Sequence, residues 1–154
     1  MLRVKDIMTT ELITVSPETE ILQAAKVLLG NHINGVPVVD EAGKLVGILC
    51  QSDLIAQQKR LPIPSVFTFL DGLFTTSSAK QLEKQVQKIA AITVAQAMTP
   101  DPIFVEPEMS IQVAAGLMVD NGFHTLPVLA AGDLVGIVGK EDILSTLLTK
   151  NSSV

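Results

Sequence analysis

Apolar residues at Ile21, Ala24, Ala25, Leu28 and Leu29 are spaced i, i+3, i+4, i+7, i+8, which makes one face of a helix. The same spacing returns at Ile111, Ala114, Ala115, Met118 and Val119. Each helix leads into a short apolar run, Val36–Val39 or Leu126–Leu129. A polar turn and a second apolar run follow, Leu45–Leu49 or Leu134–Val138. That order predicts a β-hairpin in each half. Upstream, Ile13–Val15 and Ile103–Val105 read as short strands, and Val4–Met8 as one helical turn. Downstream, the segments from Asp53 to Lys59 and from Glu141 to Lys150 are expected to be helical, and Asn31 is placed to end the first long helix. Each half therefore predicts strand, helix, strand, strand, helix, an α+β arrangement.

The two halves are copies. Val4 pairs with Val94, Met8-Thr9 with Met98-Thr99, Pro17-Glu18 with Pro107-Glu108 and Pro37-Val38 with Pro127-Val128, all at an offset of 90. The hairpin turn is one residue shorter in the second copy, so Asp53 and Asp142 differ by 89. In all, 18 of 48 paired positions are identical, a full internal repeat. The implied organisation is a first repeat over 1–60, an insert over 61–92 and a second repeat over 93–150. Leu61-Pro62-Ile63-Pro64 breaks the chain ahead of the insert, which carries Phe67, Phe69 and Phe74. Ser78 to Gln81 matches a capping box and opens an expected helix with Leu82, Val86 and Ile89 on one face. Thr93 to Gln96 repeats the capping pattern. The insert either packs on its own pair of repeats or uses its apolar side as a subunit contact.

Composition narrows the function. Eleven basic against sixteen acidic residues give a net charge of −5 without a basic run, and aromatic content is 3%. Nucleic acid is therefore not an expected partner. One cysteine excludes an internal disulfide and fits a reducing compartment. No signal-peptide region opens the chain and no apolar run reaches membrane-spanning length, so a cytoplasmic protein without a membrane partner is expected. Two histidines and one cysteine suggest neither a catalytic triad nor a zinc site. No Walker or dinucleotide glycine fingerprint appears, so no enzyme is expected.

Candidate chemistry concentrates where the last strand of each repeat turns into the last helix. Asp53 and Asp142 fall in the first helical turn, where an aspartate stabilises the helix dipole by about 0.3–1 kcal/mol. The same aspartate offers two oxygens to the hydroxyl pair of a sugar, and nearby backbone N–H groups suit a phosphate. His124 by itself reads as a hydrogen-bonded or solvated histidine. His32 aligns with Gly122 and reads as structural. Cys50 reads as a small buried hydrophobe, and Pro37 and Pro127 as strand-start residues.

Met-Thr, then Thr/Ser-x-x-x-x-Ala-Ala, then Val-Pro-Val-Val-Asp, then Leu-Val-Gly-Ile with an aspartate after it, resemble the cystathionine-β-synthase (CBS) domain. The resemblance covers nearly the whole chain outside residues 61–92, and two such units in tandem look like a stand-alone Bateman module. It implies two β-α-β-β-α repeats about a pseudo-two-fold axis, with adenosine compounds (AMP, ADP, ATP or S-adenosylmethionine) in two inter-repeat clefts. It also implies a homodimer and regulation of a partner protein. Carried over by position, one cleft takes Asp53 for ribose, Cys50 and Ser52 beside the phosphates, Ile48 under adenine, and Pro102, Ile103, His124, Thr125 and Leu126 opposite. The other takes Asp142, Gly139, Lys140 and Ile137, with Glu141 nearby, facing Leu12, Ile13, Asn34, Gly35 and Val36.

The pattern departs from the family at four places. Cys50 and Gly139 stand where the family has Ser or Thr, and Gly35 and Thr125 where it often has a basic residue. These changes remove phosphate ligands and imply weaker nucleotide binding. They also keep open a second reading, a ligand-free dimerisation or docking module. The Asp53 cleft, with Ser52 and His124, is expected to bind at least tenfold more tightly than the Asp142 cleft, where Glu141 would oppose a phosphate.

Overall fold

The computed structural model describes residues 1–60 and 92–152. The expected insert helix and its phenylalanines lie outside the described residues. In the first repeat, α1 spans Val4–Ile7, α2 Ile21–Gly30, β1 Gly35–Val39, β2 Leu45–Cys50 and α3 Gln51–Arg60. In the second, α4 spans Val94–Ala97, β3 Thr99–Pro100, α5 Ile111–Asn121, β4 Thr125–Ala130, β5 Asp133–Gly139 and α6 Lys140–Ser152. Both expected hairpins form: β1 pairs antiparallel with β2 and β4 with β5, each with one register shift near the turn.

Local chemistry explains the boundaries. The Asp40 carboxylate accepts from the N–H groups of Ala42 and Lys44, both at 2.9 Å, and closes the first hairpin turn. The shorter second turn passes through Ala131 and Gly132, both with positive φ. Helix α5 ends on Gly122 at φ 69, with the Phe123 N–H bonded to the Met118 carbonyl. Helix α2 ends in the same way, the Ile33 N–H reaching the Leu28 carbonyl, but His32 occupies the left-handed position at φ 54. His32 is thus part of a helix ending that favours glycine.

The first strand of each repeat is shorter than expected. Ile13–Val15 reduces to a single parallel bridge of Val15 with Val38, and Ile103–Val105 to one of Val105 with Val128. Pro17 and Pro107, two residues on, have no N–H to continue either ladder.

The repeats are interlocked through their first segments. Val94 is fully buried in the core of the first repeat with Ile21, Ala24, Leu28, Val36, Val38 and Leu49, and Ile92, Ala97 and Met98 pack around it. Val4 is fully buried in the core of the second repeat with Val105, Ala114, Met118, Leu126, Val128 and Val138. The backbone follows: Val4 N–H donates to the Met109 carbonyl, and Val94 N–H to that of Thr19. Strand β3 then joins the first repeat's sheet, pairing Thr99 with Ile48, while Thr9 bridges Ile137 in the second. The exchange is reciprocal, as a pseudo-two-fold arrangement requires.

Two glycines make room for it. A Cβ on Gly47 would lie 2.5 Å from the Met98 sulfur and 3.0 Å from the Thr99 carbonyl oxygen. On Gly136 it would lie 2.7 Å from the Met8 sulfur and 3.1 Å from the Thr9 oxygen. Gly47→Val should therefore push the second repeat's Met-Thr segment off the first repeat's sheet and destabilise the chain by about 1–3 kcal/mol. A calorimetric melt with an unchanged Tm would show that the segment does not hold the repeats together.

Candidate functional site

Each repeat turns from strand to helix without a break, and an aspartate closes the corner. At the end of β2 the Cys50 N–H donates to Asp53 Oδ2 at 2.8 Å, and the Gln51 N–H to the Asn34 carbonyl at 2.9 Å. At the end of β5 the Gly139 N–H donates to Asp142 Oδ2 at 2.7 Å, and the Lys140 N–H to the His124 carbonyl at 2.9 Å. One oxygen of each aspartate is therefore engaged in capping its helix. The second oxygen of Asp53 accepts a long hydrogen bond, 3.4 Å, from the Thr99 hydroxyl of the other repeat.

Both corners open into clefts that draw on both repeats. The Asp53 cleft, about 290 Å³, is lined by Ile48, Cys50, Ser52, Asp53, Thr99, Asp101, Pro102, Ile103, Phe123 and Thr125. The Asp142 cleft, about 150 Å³, is lined by Ile137, Gly139, Glu141 and Asp142 with Thr9, Glu11, Ile13, Ile33, Asn34, Gly35 and Thr125. The two linings are repeat equivalents almost position by position. They adjoin at Gly35, where a Cβ would lie 3.2 Å from Cys50 Sγ and 3.2 Å from Thr125 Cβ. Ile13 and Ile103 are 38% and 39% exposed, so each cleft keeps an aliphatic shelf uncovered.

Several expected residues face elsewhere. Val36 and Leu126 are buried in the two cores, because neighbouring strand residues point to opposite sides. Leu12 is half-buried but does not line the Asp142 cleft. His124 and Lys140 line a separate outer groove of mainly apolar character with Ala115, Met118, Val119 and Phe123. His124 therefore does not face Asp53. Conversely, sequence reasoning missed Thr9 and Thr99, Glu11 and Asp101, and Ile33 and Phe123. Their signal was the repeat itself: each pair occupies equivalent positions at the offset of 90.

Burial sets the electrostatics of the Asp53 corner. The Cys50 thiol is pushed up to about 11, first by burial and then by the Asp53 charge beside it, so it stays protonated and unreactive. The Asp53 pKa is raised by burial, against the lowering effect of the Cys50 N–H and the Thr99 hydroxyl.

Two interlocked repeats with paired clefts at their strand-to-helix corners define a tandem-repeat module. The chain belongs to the CBS domain family, which matches residues 4–60 and 94–149. It is 32% identical over 143 residues to the chloroplastic CBS domain-containing protein CBSX1 of Arabidopsis thaliana, covering 90% of this chain and 60% of that protein. Among solved structures, it resembles CBSX2 of the same plant in complex with AMP, at TM-score 0.72 and 27% identity, covering 98% of this chain and 99% of the other. It also resembles the CBS domain pair of protein MJ0100 in complex with 5′-methylthioadenosine and S-adenosylmethionine, at TM-score 0.71 and 28% identity, covering 97% and 98%. CBSX1 is chloroplastic, so family membership alone does not imply the cytoplasmic location expected from the sequence. No helix among the described residues is long and apolar enough to cross a membrane.

A raised pKa in the folded chain means that Asp53 holds its proton more tightly there than in the unfolded chain, where the value is about 3.9. Ionisation of Asp53 therefore costs stability. The cost is absent below the unfolded value and complete once pH passes the folded one. Asp53→Asn keeps an oxygen for the Cys50 N–H. It should be at least as stable as the parent at neutral pH, with an advantage that grows as pH rises through the carboxylate range. Melts at several pH values check this; a neutral-pH loss would show that the helix dipole outweighs burial.

Proposed function

We propose that this chain is a regulatory module that binds adenosine compounds (AMP, ADP, ATP or S-adenosylmethionine) in its inter-repeat clefts and signals to a partner protein without turning the ligand over. The observation that carries the reading is the pairing, in each cleft, of a corner aspartate with an exposed isoleucine shelf from the other repeat. Adenine lies between Ile103 and Ile48 in one cleft and between Ile13 and Ile137 in the other. The ribose hydroxyls donate to Asp53 or Asp142. Such a ligand touches both repeats at once, so its binding energy acts on their relative position. The related structures with AMP and with S-adenosylmethionine support the choice of ligand class.

The clefts are unequal, and the Asp53 cleft is the primary one. It is the larger of the two, about 290 Å³ against about 150 Å³. His124 no longer contributes to that preference. In calorimetry with an adenosine ligand, Asp53→Ala should remove the tighter phase, a loss of tenfold or more at about 1.4 kcal/mol per decade. Asp142→Ala should leave that phase largely intact. The opposite result would assign the working cleft to the second repeat. A guanosine series that binds as tightly would remove the adenosine assignment.

We also propose a homodimer, formed through the long helices. Leu29 on α2 and Ile55 on α3 are exposed, and so are their equivalents Val119 on α5 and Leu144 on α6. The same outer positions are thus apolar in both repeats, which suits a second copy of the chain. Light scattering should give twice the 16.4 kDa of one chain, and Val119→Glu with Leu144→Glu should return it to one. A parent chain that scatters as a monomer at high concentration would exclude this assembly.

A further inference from the structure

What each cleft accepts beyond the ribose is governed by the charges around it. Binding a 5′-phosphate calls for cationic side chains or open backbone N–H groups at a helix N-terminus. At these corners four such N–H groups are already engaged. Those of Cys50 and Gly139 donate to the corner aspartates, and those of Gln51 and Lys140 to the Asn34 and His124 carbonyls. Among the described residues no lysine, arginine or histidine lines either cleft. Lys140, the cation nearest Asp142 in sequence, lines the outer groove instead.

Carboxylates line both clefts in addition to the corner aspartates. The Asp53 cleft carries Asp101 beside Asp53, and the Asp142 cleft carries Glu11 and Glu141 beside Asp142. The corner aspartate suits the ribose, and the additional acids add negative charge around it. A chain charge of −5 adds a field that opposes anions at long range.

We propose that both clefts select adenosine compounds whose 5′ substituent is neutral or positively charged, a thioether or a sulfonium, and disfavour 5′-phosphates. The proposal rests on the adenosine reading above and narrows it. A sulfonium gains attraction from Asp101, or from Glu11 and Glu141, where a phosphate meets repulsion from the same groups. A thioether experiences neither.

Calorimetry on the full chain in low-salt buffer tests it with 5′-methylthioadenosine, S-adenosylhomocysteine, S-adenosylmethionine, AMP, and ATP with and without Mg²⁺. S-adenosylmethionine and S-adenosylhomocysteine differ by the methyl group that creates the sulfonium, so the former should bind about fivefold more tightly or better. That margin should shrink with added salt. AMP and ATP should bind more weakly than 5′-methylthioadenosine. Asp101→Asn should narrow the gap between S-adenosylmethionine and AMP in the Asp53 cleft, with a melt to confirm folding. AMP or ATP binding more tightly than 5′-methylthioadenosine, with or without Mg²⁺, would overturn the charge selection and leave the adenosine reading standing. No binding by any of the six would overturn both.

Discussion

The structure depends on the burial of Val4 in the second repeat and of Val94 in the first. Each valine removes its side chain from water in a core built by the opposite half of the chain, a gain of about 1.5–3 kcal/mol apiece. Each also brings a Met-Thr segment that pairs with the opposite sheet over a glycine, Gly47 or Gly136. Neither core is complete within its own repeat. On the first side the exchange is supplemented by Arg3 and Lys5, which reach Glu108. Both pairs are solvent-exposed and contribute at most about 1 kcal/mol each; the apolar exchange outweighs them.

The clefts are a consequence of that exchange. Because Thr99 is held against β2 and Thr9 against β5, the loops that follow carry Asp101 and Ile103, or Glu11 and Ile13, to the opposite repeat's strand-to-helix corner. A ligand in either cleft therefore touches the joint between repeats. The contact at Gly35 and Thr125 has the same character, since it leaves the two clefts as neighbours within one joint.

Duplication has kept the scaffold and altered the clefts. Gly47 and Gly136, Val4 and Val94, and Asp53 and Asp142 are the same in both halves, because each pair is constrained by packing or by a cap. Ser52 against Glu141, Cys50 against Gly139 and Gly35 against Thr125 differ, and all six line clefts. Asp53 joins both categories. Its carboxylate caps α3 through one oxygen and faces the cleft at a burial cost, a compromise expected of a residue kept for more than stability.

The sequence by itself determined the elements and their duplication. Helical spacing at 21–29 and 111–119, the two hairpins and the aspartate corners are local patterns, written in periodicity and turn residues, and they form as read. Most of the cleft lining followed from the resemblance to the CBS domain, carried over by position. Tertiary structure decided which way neighbours face and which half they serve. Val36 and Leu126 turn into the cores because adjacent strand residues alternate. His124 and Lys140 line the outer groove rather than either cleft. Asp101 and Glu11, in segments without periodicity, reach the clefts only because the first segment of each repeat crosses to the other. Exchange between halves leaves no trace in hydrophobic spacing, since Val4 and Val94 occupy equivalent positions and each would suit the core of its own repeat equally well.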